Sequence, residues 1–178
     1  MRNFYLALAC CVALILAIPA AAQTKAAPTK SAASSGGTDK EKIEALYQAY
    51  VTAFKAKDIN AIMSFYDPNE LFVFDVMPPR EYASWADYKK DWEGLFASKP
   101  GRSDIHLTNL EITVVGLVAY AHNIQAAYFT GPDDSRLDLT VRVTDVLRKV
   151  NGKWLIVQEH VSVPVDLATG KADLTSRP

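Results

Sequence analysis

Three polar side chains interrupt the apolar face of a β-hairpin that the sequence predicts for residues 136–166. Alternate residues of a strand point to opposite faces of a sheet, which puts Asp145, Gln158 and His160 together among Leu, Val, Trp and Ile side chains. A polar group in an apolar layer must be hydrogen-bonded. The three residues therefore predict one of two arrangements. Either they form a closed structural cluster, or they form the polar part of a pocket in which His160 could transfer protons near neutral pH.

The register of this hairpin follows from its turn. Asn151 and Gly152 supply the two positive-φ residues that a type I′ turn requires. The residues on either side of the turn then face each other, and every later pair follows from them. This register predicts that Asp145 faces Gln158 and that His160 is the diagonal neighbour of Asp145.

Asp75 is a second residue whose position suits proton transfer. It ends a short apolar strand over residues 71–75 and stands shortly before Pro78 and Pro79. A carboxylate against an apolar cavity has a raised pKa, so Asp75 could accept a proton from a carbon acid. The alternative is a turn-forming aspartate that binds nearby backbone N–H groups.

Three helices precede the long strands. Thr38 and Glu41 form a capping-box pattern that predicts a helix over about 39–57. Asp58 begins a second, shorter helix, and Ser84 begins a third that ends at a Lys-Pro-Gly sequence. Inward-facing aromatic residues of these helices either line a pocket or fill the core; they are Tyr50, Phe54, Tyr88 and Trp92.

Two more long strands, predicted over 105–114 and 118–130, precede the hairpin, so that four antiparallel strands follow the helices. Helices collected on one face of an antiparallel sheet define an α+β domain. A strongly curved sheet with helices across its concave face encloses an apolar interior suited to a small molecule.

Composition excludes several classes of function. The chain has 178 residues, as expected for one domain, and a net charge of −1 that gives no reason to expect nucleic acid or an anionic membrane as partner. The three histidines, His106, His122 and His160, stand at no metal-ligand spacing. We therefore predict neither a metal nor an organic cofactor.

The N-terminus resembles an export signal. Arg2 precedes an apolar run over 4–18 and a short run of alanines, which predicts a signal peptide over 1–22; lipidation at Cys10 or Cys11 is the alternative. Residues 23–37 predict a disordered linker. After cleavage the mature protein would be periplasmic or secreted, would contain no cysteine and would not be attached to a membrane. We predict a folded domain over 38–165 and a tail over 166–178.

The element order, closing with VNGKWLIVQEHVS, resembles the NTF2-like superfamily, in particular its SnoaL-like and ketosteroid-isomerase-like branches. The resemblance covers about 39–164. It implies a cone in which three N-terminal helices pack on the concave face of a curved antiparallel sheet. Three motifs are similar to those of ketosteroid isomerases: QAYVTAFKAKD with Tyr50, YDPNELFVFDVMPP with Asp75, and TDVLRKVNGKW with Asp145.

The resemblance implies a cofactor-independent isomerase, cyclase or dehydratase that acts on an apolar carbonyl compound. Asp75 would be the base, Tyr50 and Asp145 the hydrogen-bond donors, and His160 an auxiliary acid-base group. Phe54, Tyr88, Trp92 and Gln158 would bind the ligand. The alternatives are a non-catalytic ligand-binding or dimerisation module and, third, a polypeptide-binding accessory domain whose interface includes the tail.

The outer face of the hairpin carries features of an interface. The predicted register puts Arg142 and Glu159 there, as an exterior salt bridge or a dimer contact. It also puts four apolar side chains in water, those of Leu155, Val157, Val161 and Val163. Exposed apolar patches of this kind mark interaction sites, so we expect a homodimer through this face.

Overall fold

The computed structural model describes residues 37–176. The predicted signal peptide and nearly all of the predicted linker lie outside the described residues. Among the described helices, none combines the length and apolar character that a membrane crossing requires.

The three helices begin where the capping signals place them: α1 spans Asp39–Ala56, α2 spans Ile59–Met63 and α3 spans Trp85–Ser98. The capping box is complete, since Thr38 Oγ1 accepts from the N–H of Glu41 at 3.2 Å, and the Glu41 carboxylate accepts from the N–H of Thr38 at 2.6 Å. These bonds satisfy N–H groups that a helix leaves free at its start.

The sheet has five strands in the order β1-β5-β4-β3-β2. These are β1 Phe72–Phe74, β2 Ser103–Val115, β3 Val118–Thr130, β4 Arg136–Val150 and β5 Lys153–Ser162. The four long strands are antiparallel, as predicted. The short β1 joins the edge of the sheet parallel to β5, so the sheet is mixed and not purely antiparallel.

The hairpin of β4 and β5 has the predicted turn and a register that changes partway along. Asn151 and Gly152 have φ values of 49° and 84°, and Leu147 faces Ile156 as expected. The next pair joins Val146 to Gln158, which leaves Val157 as the extra residue of a β-bulge.

The bulge overturns the predicted faces of β5. Beyond it, Asp145 faces Glu159, and His160 faces Thr144. Gln158 and His160 are exposed, whereas Glu159 is only 4% exposed. The predicted faces of Gln158, His160 and Glu159 are therefore wrong, because one inserted residue exchanges the faces of all that follow on β5. On β4, Asp145 is buried and Arg142 is exposed, as predicted. Val161, also assigned to the outer face, lines an interior cavity.

An aromatic core joins the helices to the inner face of the sheet. The ring of Phe54 on α1 lies 5.8 Å from that of Trp92, 5.9 Å from that of Phe96 and 5.4 Å from that of Phe129 on β3. Tilted and edge-on pairs at these distances are the favoured arrangements of aromatic rings. This cluster packs the helices onto the sheet beside the cavity.

The predicted tail after β5 folds back on itself. Asp166 N–H donates to the carbonyl of Lys171 at 2.9 Å and closes a turn. The chain then returns beside β4, where Thr140 N–H donates to the carbonyl of Leu174 at 2.7 Å.

Candidate functional site

A cavity of about 80 Å³ lies between the helices and the inner face of the sheet, which is room for several water molecules or a small ligand. Its walls are mainly apolar and include Phe54, Trp92, Ile105, Phe129, Val143 and Val161. The polar residues that line it are Tyr50, Asp75, Tyr88, Asp91, Gln125 and Glu159. Among the described residues, no Lys, Arg or His lines this cavity.

The structure brings five of the eight predicted site residues to this cavity: Tyr50, Phe54, Asp75, Tyr88 and Trp92. The other three lie elsewhere. Asp145 is buried behind the cavity wall, in a closely packed region next to Glu159. Gln158 and His160 are on the outer face of the sheet, because of the bulge at Val157.

Asp75 combines the two alternatives that the sequence left open. Its Oδ1 accepts from the backbone N–H groups of Val76 and Met77, as a turn-forming aspartate does. The same carboxyl group lines the cavity together with Tyr88. Burial raises the pKa of Asp75, and the charge of Asp91 adds to the rise, while the Met77 and Val76 amides oppose it.

Glu159 is the carboxyl group at the inner end of the cavity. The Tyr88 hydroxyl donates to its Oε1 at 2.7 Å, and the Tyr66 hydroxyl donates to its Oε2 at 2.9 Å. Burial raises the pKa of Glu159 well above its usual range, and the neighbouring charge of Asp145 raises it further. Such a group stays protonated at pH values where an exposed glutamate is ionised.

Asp145 is 1% exposed and directly faces Glu159 on the adjacent strand. The Tyr47 hydroxyl donates to its Oδ2 at 2.6 Å. Burial raises the pKa of Asp145 to about 6, against the lowering effect of hydrogen bonds from Tyr47 and Glu159.

Tyr50 is a buried, neutral phenol. Burial raises its pKa well above the ordinary value, and the charge of Glu159 adds to the effect. Its hydroxyl is within hydrogen-bonding reach of Tyr66, which connects it indirectly to Glu159. Tyr50 therefore supports the polar end of the cavity through a neighbour.

The sequence prediction missed Glu159 because it missed the bulge. Leu155, Ile156 and Val157 are all apolar, so the alternation of apolar and polar residues carries no information at the position where the strand changes face. Helical spacing places Tyr47 and Tyr66 on inward faces as well. Their hydroxyl groups can be assigned as hydrogen-bond donors only when the position of the carboxyl group that accepts from them is known.

All three histidines are exposed: His106, His122 and His160. Within residues 37–176, no three His, Asp or Glu side chains come together in a way that would hold a metal ion. The expectation that no metal or organic cofactor is used stays a prediction.

The sequence and the fold were compared with known proteins. The family model described as the SnoaL-like domain matches residues 43–166. No curated protein matches the sequence.

Solved structures share the fold. An NTF2-like protein of unknown function from Pseudomonas putida KT2440 is 25% identical, with a TM-score of 0.70 over 80% of this chain and 100% of that chain. A protein from Streptomyces avermitilis, whose name suggests without establishing a dehydratase of the NTF2-like family, is 17% identical, with a TM-score of 0.60 over 70% and 95%. An NTF2-like protein of unknown function from Shewanella oneidensis MR-1 is 16% identical, with a TM-score of 0.56 over 70% and 99%.

These likenesses agree with the resemblance that the sequence motifs carry and with the observed arrangement of three helices on one mixed sheet. The family match spans nearly all of the described domain. The chain belongs to the SnoaL-like domain family of the NTF2-like superfamily.

Proposed function

We propose that this chain is an exported protein that binds a small apolar carbonyl compound and performs acid-base chemistry on it without a cofactor. The observation that carries the proposal is the presence of Asp75, Tyr88 and Glu159 around one apolar cavity. A mainly apolar cavity with a few converging polar groups is the usual form of a small-molecule site.

Asp75 is the base of this proposal. Its carboxyl group is partly buried against the cavity, which raises its pKa and makes it a better proton acceptor. The two backbone N–H groups that bind Oδ1 hold the side chain in one orientation. A ligand with an acidic C–H group, placed in the cavity, would meet this carboxylate.

Tyr88 and Glu159 are the donors. Removal of a proton next to a carbonyl group leaves negative charge on its oxygen, which neutral donors in a site without water stabilise. A protonated carboxyl group and a phenol are such donors. Glu159 thereby takes the role that the resemblance gave to Asp145, and His160 has no part because it lies on the other face of the sheet.

The cavity lining also favours a ligand without negative charge. Asp75, Asp91 and Glu159 line it, and among the described residues no basic side chain does. A carboxylate or phosphate ligand would find no cation to replace its lost hydration. A neutral ligand with one hydrogen-bonding oxygen matches this lining.

A specific observation favours the second candidate function, ligand binding without turnover. The hydroxyls of Tyr66 and Tyr88 already donate to Glu159, and that of Tyr47 donates to Asp145. A network whose donors are satisfied without a ligand is also a stable structural core. In a catalyst, the Tyr88 hydroxyl must turn from Glu159 towards the ligand oxygen.

Two measurements test the proposal. Native mass spectrometry of the freshly purified protein identifies any retained ligand, which we expect to be neutral and apolar. Proton NMR in deuterated water then follows hydrogen exchange beside the carbonyl group of a small β,γ-unsaturated cyclic ketone. We expect catalysed exchange that Asp75→Asn abolishes and Glu81→Gln, which removes an exposed carboxylate away from the cavity, does not. Binding of the ketone with exchange no faster than in buffer would establish the non-catalytic alternative.

The proposal of export rests on the sequence of residues 1–22. N-terminal sequencing of the protein expressed in a bacterium with a periplasm tests it. We expect the mature chain to begin after Ala22, at Gln23. An intact N-terminus in the cytoplasmic fraction would contradict it.

A further inference from the structure

We infer that Asp145 and Glu159 hold one proton between them, and that Asp145 is a positioning residue that keeps the Glu159 carboxyl group neutral where it meets the cavity. The inference rests on the proposed function for the meaning of the cavity. The evidence for the shared proton is independent of any ligand.

The two carboxyl groups are forced together by the fold. Asp145 on β4 and Glu159 on β5 are direct cross-strand partners, and their exposed fractions are 1% and 4%. Among the hydrogen bonds and ion pairs of the described residues, none joins either group to Lys, Arg or His. Two neighbouring carboxyl groups that are both buried from solvent cannot both be ionised, so at least one of them holds a proton.

A count of donors shows that one oxygen of the pair lacks a partner. Tyr47 donates to Oδ2 of Asp145, while Tyr88 and Tyr66 donate to the two oxygens of Glu159. Oδ1 of Asp145 is buried and receives no bond from a hydroxyl, amide or cation of the described residues. The carboxyl group nearest to it along the sheet is that of Glu159, the direct cross-strand partner of Asp145. One proton held between the two carboxyl groups supplies the missing partner of Oδ1.

The positions of Asp75 and Asp91 favour a charge on Asp145 over a charge on Glu159, because both line the cavity with Glu159, whereas Asp145 lies behind the cavity wall. Burial raises the pKa of Asp145 to about 6 and that of Glu159 well above its usual range. The titratable groups that face the pair are Tyr47 and Tyr50 from α1, Tyr66 after α2, Tyr88 from α3 and Asp75 after β1. The four phenols stay neutral, and an ionised Asp75 further disfavours charge on Glu159.

The two residues therefore have different roles at the site. Glu159 lines the cavity, and Asp145 does not. With its charge on the sealed side, the pair presents a neutral carboxyl group to the ligand, and the proton of Glu159 reaches a ligand oxygen only by turning away from Asp145. An anionic Glu159 would instead repel a ligand oxygen on which negative charge develops.

The test is a pH titration of glutamate and aspartate side-chain carboxyl carbons, followed by NMR in the ligand-free, selectively labelled protein. Glu159→Gln assigns the Glu159 signal by its loss. In the unmodified protein we expect Glu159 to remain protonated at neutral pH. In Asp145→Asn we expect its titration to move down by about one pH unit or more, because the neighbouring charge is gone.

Two further variants make the result specific. Asp104→Asn removes a strand carboxylate that pairs with Lys55 at the surface, and it should leave the titration of Glu159 where it was. Tyr47→Phe keeps both carboxyl groups and removes one donor to Asp145, so the titration of Asp145 should move up. Tyr47→Phe also answers the question if Asp145→Asn fails to fold.

A Glu159 signal that titrates with the exposed glutamates would overturn the inference, as would a Glu159 titration unmoved in Asp145→Asn. An Asp145 titration unmoved in Tyr47→Phe would do the same. These outcomes are distinguishable from failure of the proposed function, since an ionised Glu159 would remove one of the two donors but leave Asp75, Tyr88 and ligand binding, which the exchange experiment tests directly. Conversely, the shared proton could be found in a protein without turnover.

Discussion

The carboxyl group of Asp145 faces that of Glu159 across β4 and β5 because one residue, Val157, is inserted between the turn and the site. Without this insertion, Gln158 would occupy the inner position and Glu159 would be in water. The pair therefore depends on a backbone irregularity, as functional sites often do.

The pair makes stability depend on pH in a predictable direction. The pKa of Asp145 rises from an ordinary 3.8 to about 6 on folding, so the folded state holds a proton that the unfolded state has released. Its contribution is complete below 3.8 and is lost as the pH rises to about 6. Relative to Asp145→Asn, the protein should lose about 3 kcal/mol of unfolding free energy across this window.

Urea unfolding at several pH values checks this result. If the difference in unfolding free energy between the unmodified protein and Asp145→Asn stays constant from pH 3.8 to about 6, the predicted pH dependence is wrong.

The phenols that face the pair should differ in their importance for stability. Tyr47→Phe removes a 2.6 Å hydrogen bond to the charged member of the pair and should cost about 2–3 kcal/mol. Tyr66→Phe removes a 2.9 Å bond to the neutral member, which keeps its bond from Tyr88, and should cost about 1 kcal/mol. Chemical unfolding at neutral pH measures both. The reverse order would place the charge on Glu159.

Asp75→Asn separates the structural role of this residue from its proposed chemical role. An asparagine side-chain oxygen can still accept from the N–H groups of Val76 and Met77, so the turn and the melting temperature should change little. A neutral amide cannot accept the proton, and turnover should fall by about a hundredfold or more. Steady-state kinetics and thermal unfolding of the same samples provide the comparison, and an unchanged rate would exclude Asp75 as the base.

The reversed faces of β5 can be tested with two bulky substitutions. Val161 lines the cavity, so Val161→Phe should fill part of its roughly 80 Å³ and weaken ligand binding at least tenfold. Leu155 precedes the bulge and pairs with Arg148 on the outer face, so Leu155→Phe should leave binding unchanged. Calorimetric titration with the retained ligand measures both. Equal effects from the two variants would argue against the cavity as the binding site.

We still expect a homodimer through the outer face of the sheet, although its composition differs from the predicted one. Val161 and Glu159 have left this face, but Tyr120, which is 50% exposed, lies on it beside Val146 and near Leu155. Light scattering should give twice the monomer mass. Tyr120→Glu should yield a monomer, and Leu167→Glu, at a tail residue 94% exposed, should not. A monomeric unmodified protein would refute the expectation.

The fold was predictable because each element carries its own local signal. Thr38, Asp58 and Ser84 begin the helices, and Asn151-Gly152 defines the last turn. The parallel edge strand β1 carries no such signal, because the sequence of a three-residue strand does not indicate which strand it pairs with or in which direction. Its direction follows from the path of the chain between α2 and α3.

The candidate site was predictable only in part. The cavity walls follow from helical periodicity, which placed Tyr50, Phe54, Tyr88 and Trp92 on inward faces. The polar end did not follow, because Val157 is apolar and either face would accept it. A single undetected residue therefore moved Glu159 into the site and removed His160 from it.

The folded-back tail has a consequence for the solution behaviour of the protein. Pairing of β5 with β4 ends where Ser162 meets Arg142, which leaves the first residues of β4 without a neighbour on that side. The carbonyl of Leu174 binds the N–H of Thr140 there. An uncovered strand edge is a template for intermolecular pairing, so the segment around Leu174 protects this edge of β4 from strand pairing with another molecule.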